Sequence, residues 1–311
     1  MLQPGDDIGP YRVEAQIGKG GMSRVYRVMD SRDETIWALK ELTFEEPELV
    51  ERFVSEAEMQ AAIDHPHMVA ARELVQVNLT LGIVMELVDG PSLDRWLYEN
   101  PDASYESRLD IALQVLEGVG AAHRAGMIHR DLKPGNVLLA PGDGRIHAKV
   151  TDFGLAKLRG MPALTRTGVA MGTPRYMAPE QLMDAKHVDA RADIYALGAL
   201  FYELFTGRPA FLYATFAEAY EALKSASYDD PADLGVPPTI CRAIRRALEP
   251  DREQRVGSCE DLADLLRGRT PRSIRRRRWR MVAVMLLLAL GAGAVAVALQ
   301  PEVLALLPRS P

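Results

Sequence analysis

Cysteine is scarce. The chain carries two, Cys241 and Cys259, and neither has the close C-x-x-C spacing of a zinc site or a redox pair. Idle thiols in a reducing compartment are expected, not disulfides. A positive balance is also missing: acidic residues outnumber basic ones, 43 to 37, for a formal net charge of −6. Arginine gathers at 267–280, so the remainder is more acidic still. That excludes a general nucleic-acid binder. No internal repeat or low-complexity array is present, and Met1 to Pro10 lacks the basic start and apolar run of a secretory leader, so none is expected.

Long apolar runs are absent until the end of the chain. Met281 to Leu299 then runs without a charge or strongly polar side chain. At about 1.5 Å per residue, such a helix matches the thickness of a bilayer's hydrocarbon layer. Directly before it lies Arg272-Ser273-Ile274-Arg275-Arg276-Arg277-Arg278-Trp279-Arg280. Arginine beside a span marks the cytoplasmic side, Trp279 suits the interface, and the run would also attract anionic lipid. The expected division is a lead at 1–10, a folded domain at 11–268, a basic juxtamembrane linker at 269–280, a transmembrane helix at 281–299 and an extracytoplasmic tail at 300–311. With 311 residues there is room for one domain of roughly 250 residues beside these segments. Ala289 and Gly293 form a small-x-x-x-small spacing that could support helix pairing.

Within the domain, β-rich stretches come first: Tyr11 to Ile17, Val25 to Val28 and Ile36 to Lys40. A helix is expected over 48–63 and an apolar strand over Leu81 to Val88. Helical patterns dominate afterwards, at 106–125, 189–206, 214–224, 238–248 and 258–267. Strands first and helices later predict an α+β fold in two lobes, about 11–88 and 89–268, with a ligand cleft between them.

Two clusters carry the chemistry. The first is His129-Arg130-Asp131-Leu132-Lys133-Pro134-Gly135-Asn136, and the second, further on, is Asp152-Phe153-Gly154. Upstream lie Gly18-Lys19-Gly20-Gly21-Met22-Ser23-Arg24-Val25 between two expected strands and Trp37-Ala38-Leu39-Lys40 at a strand end. Downstream stands Gly172-Thr173-Pro174-Arg175-Tyr176-Met177-Ala178-Pro179-Glu180. In this order the motifs resemble those of the protein kinases, in particular bacterial membrane-anchored Ser/Thr kinases, over about residues 11–268. The glycine loop departs from G-x-G-x-x-G in having Ser23 at the third glycine position.

The resemblance implies a two-lobed kinase fold and a role for each matching residue. Asp131 would accept the proton of a substrate hydroxyl, Lys133 would steady the γ-phosphate, and Thr173 would seat a Ser or Thr substrate. Asn136 and Asp152 would hold Mg²⁺ or Mn²⁺. Ile17, Gly18, Lys19, Gly20 and Gly21 would cover ATP, with Val25, Ala38 and Leu138 around the adenine. Lys40 would hold the α- and β-phosphates, with Glu56 as its helix partner. Met85 would be the gatekeeper, and the backbones of Glu86 and Val88 would bond the adenine edge. Thr165 and Thr167 resemble an autophosphorylated pair whose phosphate could meet Arg130. Asp193 resembles the helix aspartate that anchors the catalytic loop, and Arg255 the buried partner of Glu180. His65 and His67 read as a loop, not a metal site.

The expected activity is transfer of the ATP γ-phosphoryl to protein Ser and Thr hydroxyls in bacterial signalling, with autophosphorylation of the activation loop. The expected partners are protein substrates, membrane lipid through one C-terminal helix, and a homodimer able to phosphorylate in trans. The catalytic domain would face the cytoplasm and the C-terminus the outside. The rival readings are a membrane-tethered pseudokinase that binds ATP without transfer, a small-molecule phosphotransferase, and a tethered interaction module.

Overall fold

Strand formers open the chain and helix formers close it, and the structure sorts them into two lobes. The computed structural model describes residues 2–20, 23–42, 47–77, 80–142, 144–153, 175–183, 188–213 and 215–271. Gly21, Gly154, Thr165, Thr167 and Thr173 lie outside the described residues, as does the whole of 272–311. Among the described residues no helix is long and apolar enough to cross a membrane.

The first lobe is an antiparallel sheet. Its strands are β1 (Asp7–Ile8), β2 (Tyr11–Lys19), β3 (Ser23–Asp30), β4 (Ile36–Leu42), β5 (Ala71–Val77) and β6 (Thr80–Met85), in the order β1-β2-β3-β4-β6-β5. The two-residue period of a strand explains its two apolar faces. On one, Tyr11, Val13, Tyr26, Val28, Leu39 and Val84 pack together. On the other, Ala38, Leu42, Ala57, Leu81, Ile83 and Met85 do. Neighbouring Ala38 and Leu39 thus serve opposite sides of β4. Helix α1 (Pro47–Ala61) packs on β5. Part of the lead joins the sheet, because Ile8 pairs with Tyr11 and is buried.

The second lobe holds α2 (Leu93–Glu99), α3 (Tyr105–Arg124), a hairpin of β7 (Val137–Pro141) and β8 (Ile146–Val150), α4 (Pro179–Met183), α5 (Arg191–Thr206), α6 (Phe216–Ser225), α7 (Pro238–Ala247) and α8 (Cys259–Leu266). Helix α5 is buried almost all round, from Ala192 to Phe205 with Glu203 as the break, so it forms the axis of the lobe. It ends at Gly207, whose φ of 76° is a left-handed cap. Helix α3 begins at Ser104, whose side chain accepts from the Ser107 N–H at 3.2 Å. Its Gly118 touches the loop before β5 so closely that a Cβ there would lie 2.3 Å from the His67 carbonyl oxygen. The His67 ring bonds the Ala148 carbonyl at 3.0 Å, tying that loop to β8.

The helices expected at 106–125, 189–206, 214–224, 238–248 and 258–267 appear within two residues of those bounds. The strand expected over Leu81 to Val88 ends instead at Met85, and Glu86 to Val88 has no regular structure. Strand β5, helix α2 and the β7–β8 hairpin have no counterpart in the sequence-based expectation. Each is seven residues or fewer per element, too short for a periodicity to declare itself.

One ion pair braces the second lobe. Arg255 donates to both carboxylate oxygens of Glu180, at 2.7 and 3.1 Å, and its side chain is fully buried. It also donates to the carbonyls of Glu249, Arg191 and Pro250, and its guanidinium lies 5.0 Å from the Tyr195 ring centroid. Every polar edge of the guanidinium is therefore satisfied, and truncation would strand a carboxylate and three carbonyls. Arg255→Ala is expected to lower unfolding free energy by about 3–5 kcal/mol. Chemical denaturation reads this as an earlier midpoint, and an unchanged midpoint would contradict the bracing role.

Candidate active site

The segment between α3 and β7 carries the densest polar chemistry, and a buried carboxylate holds its shape. Asp193, in the first turn of α5, is fully buried. Its Oδ2 accepts from the His129 backbone N–H at 2.8 Å, and its Oδ1 from that of Arg130 at 2.8 Å. His123, at the end of α3, reaches Oδ2 at 2.7 Å through Nε2. Arg130 takes a φ of 67°, a left-handed conformation that a side-chain-bearing residue keeps only when its surroundings enforce it. The Asp193 clamp and the Gln181 amide, which donates to the Arg130 carbonyl at 2.9 Å, supply that enforcement. His129 is buried, contacts the Thr151 carbonyl at 2.9 Å through Nε2 and lies tilted on Phe153 at 4.6 Å between centroids. One loop is thereby tied to the next.

These ties help bring five functional groups to one place. Lys133 donates to Asp131 Oδ2 at 2.8 Å. Asn136 donates through Nδ2 to the Asp131 carbonyl at 2.7 Å, which leaves its amide oxygen for another partner. From the sheet, the buried Lys40 reaches across to Asp152, with Nζ to Oδ1 at 2.6 Å. Asp152 also adopts a left-handed φ of 67°. Burial alone would raise its pKa, but the charge and hydrogen bond of Lys40, with His129 and Thr151, outweigh that and hold the carboxyl below its usual range.

An apolar slot borders these groups. Val25 from β3, Ala38 from β4, Met85 from β6 and Leu138 from β7 pack in one cluster, so both lobes contribute. Val25 pairs with Gly18 on one side and Lys40 on the other. After β6, the Glu86 N–H is already used by the Ala70 carbonyl at 2.9 Å, and the Val88 carbonyl accepts from the Gly90 N–H at 3.2 Å. The Glu86 carbonyl and the Val88 N–H remain, an acceptor and a donor two residues apart at the slot's edge. Gly90 is required by packing, since a Cβ there would fall 1.9 Å from the Leu139 carbonyl oxygen.

The structure thus brings together Asp131, Lys133, Asn136, Asp152 and Lys40, and separately Val25, Ala38, Leu138, Glu86 and Val88. Ile17, Gly18 and Lys19 lie on the end of β2, with Ile17 half exposed, and Gly20 follows. Glu56 lies on α1, but its side chain is outside the described residues; among the described side chains Lys40 pairs with Asp152. Arg130 turns beside Asp131, while Gly21, Thr165, Thr167 and Thr173 are outside the described residues. Three contributors went unread in the sequence: His123, Gln181 and Lys149, whose ammonium pairs with Glu86 at 2.8 Å. Gln181 follows Glu180 directly, which was the available signal. His123 and Lys149 sit in ordinary helix and strand positions and carry none.

A divalent cation fits the donor set: a carboxylate from Asp152 and a free amide oxygen from Asn136 are the hard oxygen ligands that Mg²⁺ prefers, few in number so that phosphates complete the shell. The Asp152 pKa also has a measurable consequence. A carboxyl depressed in the folded state stabilises above its unfolded value, and that gain is lost as pH falls through the folded value. The stability gap between the wild type and Asp152→Asn is therefore expected at neutral pH and should close below about pH 4. A gap constant across an acid titration would contradict the ion pair.

Comparison with known proteins agrees with this geometry. The family model described as "Protein kinase domain" matches residues 11–265. Serine/threonine-protein kinase PkaA of Streptomyces coelicolor is 36% identical over 83% of this chain and 49% of its own length. Serine/threonine-protein kinases PknD and PknA of Mycobacterium tuberculosis are each 34% identical, over 84% and 82% of this chain and 40% and 60% of theirs. The chain thus spans about half the length of the curated relatives it matches. Among solved structures, Rad53 1-466 in complex with AMP-PNP shares the fold, with a TM-score of 0.70 over 83% of this chain and 65% of that one, at 23% identity. A motif series in the right order, a slot shared by two lobes and a matching family model together place the chain: it belongs to the protein kinase family.

Proposed function

We propose that the chain transfers the γ-phosphoryl group of ATP to Ser or Thr hydroxyls of proteins. One observation carries the reading: an ammonium, two carboxylates, an amide oxygen and a second ammonium converge beside an apolar slot with an acceptor and donor at its edge. The relatives' names supply the substrate class. The same names favour transfer over a scaffold that only binds nucleotide.

Phosphoryl transfer needs positioning and charge neutralisation more than covalent help. The adenine enters the slot of Val25, Ala38 and Leu138, with its edge on the Glu86 carbonyl and the Val88 N–H. Lys40 takes the α- and β-phosphates. Asn136 and Asp152 would hold a divalent cation, which when bound would supply positive charge to offset that of the phosphates. The substrate oxygen bonds to the γ-phosphorus, the bond to the β–γ bridging oxygen breaks, ADP leaves and the hydroxyl proton passes to Asp131. Lys133, beside Asp131, offsets charge on the moving phosphoryl. Thr173 seats the substrate hydroxyl. Phosphates on Thr165 and Thr167, placed by a second copy of the chain, order the loop through Arg130.

Met281–Leu299 anchors the chain by one helix, with Arg272 to Arg280 keeping the kinase domain on the cytoplasmic side and the C-terminus outside.

Asp131→Asn is expected to cut the transfer rate on the order of 10²–10⁴-fold. Radiolabelled transfer to a general Ser/Thr acceptor protein measures it, alongside binding of a non-hydrolysable ATP analogue, which should persist. Undiminished transfer would sink the assignment. Asp193→Asn retains one acceptor oxygen for three donors, so it should slow turnover at least about tenfold and cost roughly 1–3 kcal/mol of stability. Steady-state kinetics and denaturation check the pair; turnover unchanged in a folded variant would remove Asp193 from the positioning role.

A further inference from the structure

The chain leaves its last described helix beside an unusual face. After α8 the backbone turns at Gly268, where a Cβ would stand 3.4 Å from Thr239 Cγ2 at the start of α7. Helix α7 buries Ile240, Cys241, Ala243, Ile244 and Ala247 and turns three arginines outward, with no acid along its length. Arg245 is committed to Asp230. Among the described residues the side chains of Arg242 and Arg246 have no ion-pair or hydrogen-bond partner, and both residues are exposed. They stand four residues apart and so share a side of the helix with Thr239, one turn earlier. Like charges at that spacing destabilise an isolated helix, so two unpaired arginines stacked there call for an outside anion. Acids that might have served are engaged elsewhere: Glu260 pairs with Arg124 at 2.6 Å and Glu117 with Arg267 at 3.7 Å. Arg269, exposed and with no side-chain partner among the described residues, extends the face just past Gly268.

The place of this face matters as much as its charge. It lies where the domain ends, and the twelve residues 269–280, mostly arginine, lead from there to the apolar run at Met281. Twelve residues span at most about 40 Å, so Gly268 and Thr239 stay within that reach of the headgroups. We propose that Arg242, Arg246 and Arg269 form a docking face for the anionic lipid headgroups of the membrane the chain is anchored in, setting how the kinase domain stands on the bilayer. This rests on the anchoring reading above and goes beyond it, because the linker arginines alone would hold the chain while leaving the domain free to tumble. A basic surface near an anionic leaflet gains attraction with each arginine and loses it with added salt.

The test uses the full chain in vesicles of phosphatidylcholine alone, and in vesicles with about a third phosphatidylglycerol. Thr239→Cys, on the same face, carries a fluorophore; Ser31→Cys, in the β3–β4 turn of the other lobe, carries the control. The native thiols Cys241 and Cys259 are buried. A headgroup-attached nitroxide lipid reports proximity by quenching. Quenching at position 239 is expected in anionic vesicles only, lost in Arg242→Glu/Arg246→Glu and lost at high salt, with the control dark to the quencher throughout. Flotation with the vesicles should be the same for all variants and both lipids. Flotation without quenching at 239, or quenching that ignores lipid charge and the double reversal, overturns the docking face and leaves the anchor standing. Failure to float with either lipid overturns the anchor and the docking face with it.

Discussion

A carboxylate without solvent organises this protein's chemistry. Asp193 gives up its water to accept two backbone N–H groups of the catalytic loop and the His123 ring. Charged acceptors in hydrogen bonds of this kind are roughly twice as strong as neutral ones, and a buried one left short of donors is costly. The loop must therefore bring His129 and Arg130 to that point, whatever the local backbone preference. The left-handed φ of Arg130 is the visible result. From there Asp131, Lys133 and Asn136 have little freedom left, since each is also bonded to another member of the group.

The second constraint joins the lobes. Lys40 is buried against the apolar face of the sheet, and an ammonium in such surroundings needs an anion. Asp152 supplies it from the other lobe at 2.6 Å. Leu138 repeats the theme in apolar form, since it stands on β7 yet packs with Ala38 and Met85 of the sheet. Charge and hydrophobic contact thus cross the same boundary, and the place where they cross is the place where phosphates and a base would both be held.

What could be read in advance follows from how local each signal is. The motifs around Asp131 and Asp152 were legible because the residues that converge at the site are contiguous in sequence within each motif. Long helices such as α3 and α5 declared themselves through composition over many residues. Strand β5, helix α2 and the β7–β8 hairpin are short, and their burial comes from neighbours distant in the chain. His123 and Lys149 went unread for the same reason: each matters through one contact across a separation of more than sixty residues, to Asp193 and to Glu86. The contact of Lys40 with Asp152 joins residues 112 apart, and no periodicity encodes it.

The two ion pairs, one within the second lobe and one between the lobes, differ in what they are for. Arg255 and Glu180 are closed: every donor of the guanidinium meets an oxygen of the protein itself, so nothing is left to bind and the pair serves rigidity. Lys40 and Asp152 are open. Among the described residues the ammonium, with three protons, has one partner, and the carboxylate keeps an oxygen that Lys40 does not use. An unsaturated pair in a confined place is suited to a polyanion and its counter-cation, because both charges can keep each other while each accepts a further partner. Stability is thus concentrated where no chemistry occurs, and spare bonding capacity where it does.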